Sequence, residues 1–401
     1  MAPARQAGLR EHNLSLVLEQ VLGAAVPTSR AEVAARLGLA RPTVSDLVDR
    51  LLAAGMLTEL PPAPTRGAGR PAVPLVGSST GFVAYGLEVN VNHLGICAMT
   101  LAGELLAEQS VSRTFRGAAL TEVLDALVAL ADPVVQATSA GRTVVGACVS
   151  VPGLIRYATG RVQLAPNLGW HGEDVAQALT ARPPFAGWTV QVANDADLGA
   201  RAQLATGTER SFVFLSGEVG LGGAVIIDGV ALAGQHGWAG EIGHLCVDPD
   251  GPPCSCGANG CLEQYVGTEA LLRTAGIADR RSPDVDQVQQ LLDALADHDQ
   301  RAAAAVTEAG RVLGLALAGV INLVDVDTIV LGGPLGLLHP HLDRSLRAEL
   351  DRRVITARWR DLVVRPADSG PLGAARGGAL VMLDGLVADP SAWFTSTLKP
   401  V

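Results

Sequence analysis

In the stretch "GEIGHLCVDPDGPPCSCGANGCLEQYVG" (240–267), one His, four Cys and two Glu fall within 28 residues of a chain that holds only six Cys and eight His in all. His244, Cys254, Cys256 and Cys261 offer one imidazole and three thiolates. That is the donor number and softness of a four-coordinate structural zinc site. Cys-x-Cys-x4-Cys is short enough for one loop to wrap the ion, and Gly257 and Gly260 permit the sharp turns of such a wrap. With every position filled by protein, one Zn2+ per chain would hold shape and not activate water. A disulfide is the alternative, although Cys254 and Cys256 sit too close in sequence to pair with each other comfortably.

The chain that carries this loop is long enough, at 401 residues and 48% hydrophobic, for two or three domains with sizeable cores. Its start has no apolar run ahead of a small-residue cleavage site, and the apolar run around "LGLALAGVINLV" reads as too short to cross a bilayer. The expectation is a cytoplasmic protein with no membrane partner. Clustered cysteines in a reducing compartment fit a metal site better than a disulfide framework. The net charge of −10 hides an asymmetry: residues 1–80 hold eight Arg against six acids, +2, which leaves −12 for the remainder.

Residues 1–64 read as a winged helix-turn-helix. Leu14, Val17, Leu18 and Val21 repeat at helical spacing, and Ser29 with Glu32 forms a capping box for a second helix that ends at Gly38. A third helix places Val44, Leu47, Val48, Leu51 and Leu52 inward; Pro42 suits its first turn, whereas Ala40 is a poor cap. The polar face of that helix carries Arg41, Thr43, Ser45 and Arg50, the candidates for contact with operator DNA, and "AAGMLTEL…GRPAVPLV" supplies a two-stranded wing. Arg66 and Arg70, in a Gly/Pro-rich segment, suit a DNA backbone or narrow minor groove. A linker follows, over 65–80.

From Gly81 the pattern changes to α/β. "GFVAYGLEVN", "HLGICAMTLAG" and "LLAEQSVSRTF" read as strands, "LTEVLDALVALADPVVQ" as an amphipathic helix and "RTVVGACVSVPG" as a buried strand. A second αβ half contains the glycine-rich hairpin "SFVFLSGEVGLGGAVIIDG" and a long helix running into a strand and the Gly332–Gly333 turn. "HLDRSLRAELDRRV" (341–354) reads as a solvated helical face, and the residues after Pro390 carry no readable signal.

"GEIGH" followed by "CSCGANGCLE" strongly resembles the signature of the ROK family, which comprises repressors, open reading frames and sugar kinases, and "PNLGW" (166–170), "NDAD" (194–197) and "LGG" (331–333) support it. The resemblance spans residues 81–388. It implies a two-lobed actin-like ATPase (ribonuclease H-like) domain, with one lobe over 81–200, a second over 201–388 that carries the zinc loop and returns its C-terminal helix towards the first, and a tail over 389–401. The N-terminal helix-turn-helix matches the repressor branch. The family's sugar-contacting positions correspond to Asn167, Asn194, Asp195, Glu241, His244 and Glu263. Carboxylates and amides at fixed geometry can discriminate epimers by directional hydrogen bonds. His244 would ligate zinc through one nitrogen and orient the loop, or address the sugar, through the other.

The kinases of the family cradle phosphates with two glycine-rich turns. At the first, this chain reads "EVNVNH" (88–93), with Asn90 and Val91 where the glycines belong. At the second it has Glu218, whose carboxylate would repel a phosphate. Asp195 keeps the position of the family's general base but would act only as a hydroxyl acceptor, so no catalytic residue is assigned. The expectation is a sugar-responsive transcriptional repressor, acting as a homodimer or dimer of dimers, whose effector is a monosaccharide or sugar phosphate. A kinase with an added DNA-binding domain and a regulator controlled by a sugar-transport protein are the other readings.

Overall fold

The computed structural model describes residues 6–62, 72–156, 159–217, 219–277 and 287–394. Its first unit contains helices α1 (Gln6–Leu22), α2 (Arg30–Leu37) and α3 (Arg41–Ala53), with strands β1 (Thr28–Ser29), β2 (Leu57–Glu59) and β3 (Pro74–Gly77) in the order β1-β3-β2. The capping box forms: the Ser29 amide donates to Glu32 at 2.7 Å, the Ser29 hydroxyl accepts from the Glu32 amide, and Gly38 closes α2 in the left-handed region. Ala40 makes no side-chain cap. The wing is present, but β3 pairs antiparallel with both β1 and β2. Residues 74–77, which overlap the expected wing as well as the 65–80 linker, belong to the winged sheet. Arg66 and Arg70 lie outside the described residues.

The remainder forms two lobes that repeat one topology. In lobe 1, β4 (Phe82–Val89), β5 (His93–Thr100) and β6 (Leu105–Ser112) make an antiparallel meander. After α4 (Leu120–Ser139), β7 (Thr143–Val151) joins β4 in parallel. A small sheet of β8 (Leu154–Arg156), β9 (Arg161–Ala165) and β10 (Trp170–Glu173), then α5 (Val175–Thr180), precede β11 (Val190–Asn194), which lies parallel to β7. The order β6-β5-β4-β7-β11 recurs in lobe 2 as β14-β13-β12-β15-β16.

Helix α6 (Asp195–Thr206) carries the chain into lobe 2, where β12 (Phe212–Gly217), β13 (Leu221–Ile227) and β14 (Val230–Ala231) form the second meander. The metal-type loop and helices α7 (Glu263–Val266), α8 (Thr268–Ala275), α9 (Gln287–Ala296) and α10 (Gln300–Val324) lead to β15 (Thr328–Gly332), then α11 (Gly333–Arg353) and β16 (Val363–Pro366). Helix α10 is long and apolar enough to cross a membrane, contrary to the sequence expectation, but Val306, Leu313, Leu317 and Ile321 are spent on the lobe 2 core. Helix α11 keeps the expected solvated face, with His341, Arg344, Asp351 and Arg352 exposed, and buries Leu342, Leu346 and Leu350 of its other face in that core.

Helix α12 (Gly373–Ala388) leaves lobe 2 and lies against α6 and the β4–β7 face of lobe 1. Backbones meet there: a Cβ on Gly86 would stand 1.6 Å from the Ala375 carbonyl, and one on Gly377 1.8 Å from that of Leu198. The winged unit has no separate core. Leu14, Val17, Val44, Leu47 and Leu75 share one buried cluster with Phe82 and Ala84 of β4 and with Met382, Leu383 and Leu386 of α12. Trp393, in the short turn Pro390–Trp393, meets Phe82 edge-on at 6.1 Å, so this part of the tail is structural.

Candidate functional site

An open cleft of about 1030 Å³ separates the lobes, and Asn167, Asn194, Asp195, Glu241, His244 and Glu263 all line it. The turn after β9 delivers Asn167. Buried Leu168 and Trp170 anchor that turn, the latter donating its indole N–H to the Ala118 carbonyl at 3.0 Å. Asn194 is the N-cap of α6: its side-chain oxygen accepts from the Ala196 and Asp197 amides at 2.8 and 3.2 Å, while its NH2 donates to the Gly153 carbonyl. Both lone pairs are used, so Asn194 positions Asp195 and has one N–H left for a ligand. Sequence motifs alone do not separate those two roles.

Asp195 begins α6, yet burial, with Glu88 and Glu241 nearby, outweighs its backbone donors and raises its pKa to about 6. Asp197 is raised to about 7, by burial and by the charges of Asp195 and Glu241. Burial also pushes Glu241 up. A carboxyl raised in this way stabilises the fold below its unfolded pKa, near 3.8 for Asp, and that contribution is lost as pH rises through the folded value. Asp195→Asn is therefore expected to raise the melting temperature at pH 8 relative to the parent, with the gain vanishing near pH 4. Calorimetry across that range checks it.

Glu263 reaches the cleft floor because Gly220 lacks a side chain: a Cβ there would stand 2.5 Å from Glu263 Oε2. The same oxygen accepts from the Leu221 amide at 3.2 Å. Cys254, Cys256, Cys261 and His244 bring their donor atoms within 4.8 Å of one another. His244 Nδ1 is 3.6 Å from Cys254 Sγ and its Nε2 is 3.8 Å from Glu241 Oε2, so one ring nitrogen turns to the thiols and the other to the cleft. The Cys256 and Cys261 sulfurs are 3.6 Å apart. Zn–S bonds of ~2.3 Å in a tetrahedron give sulfur separations of about 3.8 Å, whereas a disulfide needs ~2.05 Å. All four loop cysteines are free thiols, and the donor set fits a metal ion. Gly257 and Gly260 both take positive φ, and a Cβ on Gly260 would strike the Asp248 carbonyl at 1.6 Å.

At the other end of the cleft, Asn90 and Val91 form the β4–β5 turn, closed by the Asn90 amide donating to the His93 carbonyl at 3.0 Å. Val91 is buried and turns an apolar wall to this end of the cleft. Glu88, buried beneath, accepts from the Ala375 amide at 3.1 Å and contacts His93 at 3.1 Å. A carboxylate of the chain itself thus occupies the start of α12. No local motif marks this pairing, whose partners lie 287 positions apart. Glu218 lies outside the described residues.

Residues 84–384 match the model of the ROK family. This chain belongs to that family. Among ROK relatives, the xylose repressor of Bacillus subtilis is 25% identical over 388 residues, 95% of this chain and 97% of the repressor. A crystal structure of a ROK family transcriptional regulator, a homologue of the E. coli MLC protein, superposes with a TM-score of 0.77 at 24% identity, over 95% of this chain and 97% of the other, and shares the whole fold, winged unit included. A ROK glucokinase from Streptomyces griseus, solved with glucose and AMPPNP, matches 75% of this chain and 98% of its own at TM-score 0.63 and 25% identity.

On the winged unit of this ROK protein, Arg41 and Thr43 are exposed and Ser45 is half-buried at the N-terminal end of α3. The acids on the same helix are neutralised: Arg10 pairs with Asp46 at 2.5 Å and Arg30 with Asp49 at 2.7 Å. The half-buried Arg50 guanidinium lies 5.1 Å from the centre of the Phe394 ring, a cation–π contact towards the C-terminal turn.

Proposed function

We propose that this chain is a sugar-responsive transcriptional repressor. The observation that carries the reading is physical continuity: α12 borders the effector cleft at Gly373 and Ala374 and, about 15–20 Å further along its axis, enters the core of the winged unit at Leu383 and Leu386. Sugar bound by Asn167, Asp195, Glu241 and Glu263, with the remaining N–H of Asn194 and the outer nitrogen of His244, draws the lobes together. The closing lobes move α12, and α12 moves the helix-turn-helix. In a dimer this changes the spacing of two α3 helices against the operator half-sites, read through Arg41, Thr43 and Ser45, with Arg66 and Arg70 on the backbone. A swing from 1:99 to 99:1 needs about 5.5 kcal/mol of differential affinity. Zn2+ held by His244, Cys254, Cys256 and Cys261 fixes the loop that carries Glu241 and Glu263. The whole operates in the cytoplasm.

A thermal-shift screen of monosaccharides, with D-xylose first because relatives are named xylose repressors, followed by mobility shifts of operator DNA, tests the reading. Absence of any sugar that both stabilises the protein and alters DNA binding defeats it. The kinase alternative keeps one point in its favour, Asp195 at the base position. The buried Val91 wall and the Glu88-filled helix start oppose it. Sugar-dependent ATP consumption is expected to stay below about 1 per second, the low end of ordinary turnover; a coupled assay at saturating sugar checks it.

A further inference from the structure

Beside Glu241 the effector cleft continues into a small side pocket, which shares Gly153, Asn194, Gly222 and Glu241 with the main cleft and adds Asp197 and Trp238. The Trp238 indole donates to the Ile155 carbonyl at 2.9 Å. The Asp197 carboxylate has no hydrogen-bond or ion-pair partner among the described residues. The main cleft is lined by Glu88, Asp195, Glu241 and Glu263, and neither cavity is lined by any Lys or Arg. The one basic side chain is His244, whose Nδ1 faces the thiols. Two of the three helix starts at the cleft are occupied by the chain's own groups, that of α6 by Asn194 and Asp195 and that of α12 by Glu88; that of α11, at Gly332 and Gly333, carries no side-chain cap but faces the same carboxylates across the cleft.

We propose that the cleft selects its effector by charge and takes the unphosphorylated sugar, with Asp197 the specificity-determining residue that adds negative potential from outside the sugar contacts. This rests on the sugar-responsive reading above. A sugar phosphate at pH 7.5 carries close to two negative charges and would enter a cleft lined by carboxylates and by no Lys or Arg. Burial is the larger cause of the raised pKa values of Asp195 and Asp197, and the neighbouring carboxylates add to it. The regulator therefore reads the sugar ahead of the phosphoryl-transfer reaction that would consume it.

The test is calorimetric titration of D-glucose, D-xylose, D-mannose and N-acetylglucosamine, each beside its own terminal phosphate, on the full chain and on Asp197→Asn and Glu241→Ala. The sugar that binds is expected to outbind its phosphate by about 30-fold or more at low salt. The gap should narrow severalfold at high ionic strength, because screening acts on charge and not on shape. Asp197→Asn should also narrow it about threefold while leaving the neutral sugar within about twofold, the isosteric amide keeping the backbone bond to Asn194. A phosphate that binds as tightly as its sugar overturns the inference and leaves the sugar-responsive reading standing. A gap unmoved by salt and by Asp197→Asn shows rejection by shape and equally overturns it. If no member of any pair binds, or binding ignores Glu241→Ala, the sugar-responsive reading fails and the inference fails with it.

Discussion

Glu241→Ala is expected to yield a protein that holds its operator and is poorly released by sugar. Glu241 stands at the cleft with its side chain 41% exposed, and its contact within the protein is the 3.8 Å approach to His244 Nε2. Truncation therefore opens no core cavity and leaves the thiol side of His244 untouched. What it removes is a hydrogen bond to a sugar hydroxyl, about 1–3 kcal/mol, or roughly five- to 150-fold in affinity. The winged unit, built from α1, α2, α3 and α12, does not include this loop, so DNA affinity without sugar should match the parent. Mobility-shift titration against the inducing sugar, with melts and metal content measured in parallel, is the check. Release at the parent's sugar concentration would place the sugar elsewhere.

A larger loss is expected from the metal loop. Cys261 is fully buried and pairs with Cys246 across an isolated bridge, while the Val247 amide donates to the Gly260 carbonyl at 2.8 Å. Other backbone bonds, such as the Cys254 amide to the Ala258 carbonyl and the Leu262 amide to the Leu245 carbonyl, both at 2.8 Å, join residues within the loop itself, and the four donors would lock these turns together. Zinc bound by comparable sets contributes about 10–16 kcal/mol of apparent binding energy, which becomes folding energy when the site does not exist in the unfolded chain. Cys261→Ser is expected to lower zinc from one per chain towards none, to destabilise lobe 2, and to abolish the sugar response through the displaced Glu241 and Glu263. Elemental analysis and melting curves measure this. A folded Cys254→Ser/Cys256→Ser/Cys261→Ser protein that still carries about one zinc would refute the assignment. Comparing the two loop variants separates contact from support: Glu241→Ala loses no melting temperature, and Cys261→Ser does.

Much of this architecture was legible because it is written locally. The Ser29–Glu32 box, the stripe of Val44, Leu47 and Leu51, the β4 and β5 strands and the Cys-x-Cys-x4-Cys loop each depend on residues within a few positions of one another. The family motifs named six residues that the structure brings to one cleft. What stayed hidden depends on distant partners: β3 pairing back to Thr28–Ser29, Glu88 bound to Ala375, and Arg50 turned to Phe394. One hidden contact did leave a trace. Gly86 interrupts the apolar strand "FVAYGLEV", and a glycine inside a strand marks close backbone approach, here that of α12.

The shared core of the winged unit also sets an order of events during synthesis. Leu14, Val17, Val44 and Leu47 emerge early from the ribosome, whereas Met382, Leu383 and Leu386, which complete the same cluster, are added more than 300 residues later. Segments made first usually fold first; this one lacks a wall until translation nears residue 390. Nascent or prematurely terminated chains accordingly carry an unfinished DNA-binding unit, and operator occupancy counts only molecules that also possess a finished sensor.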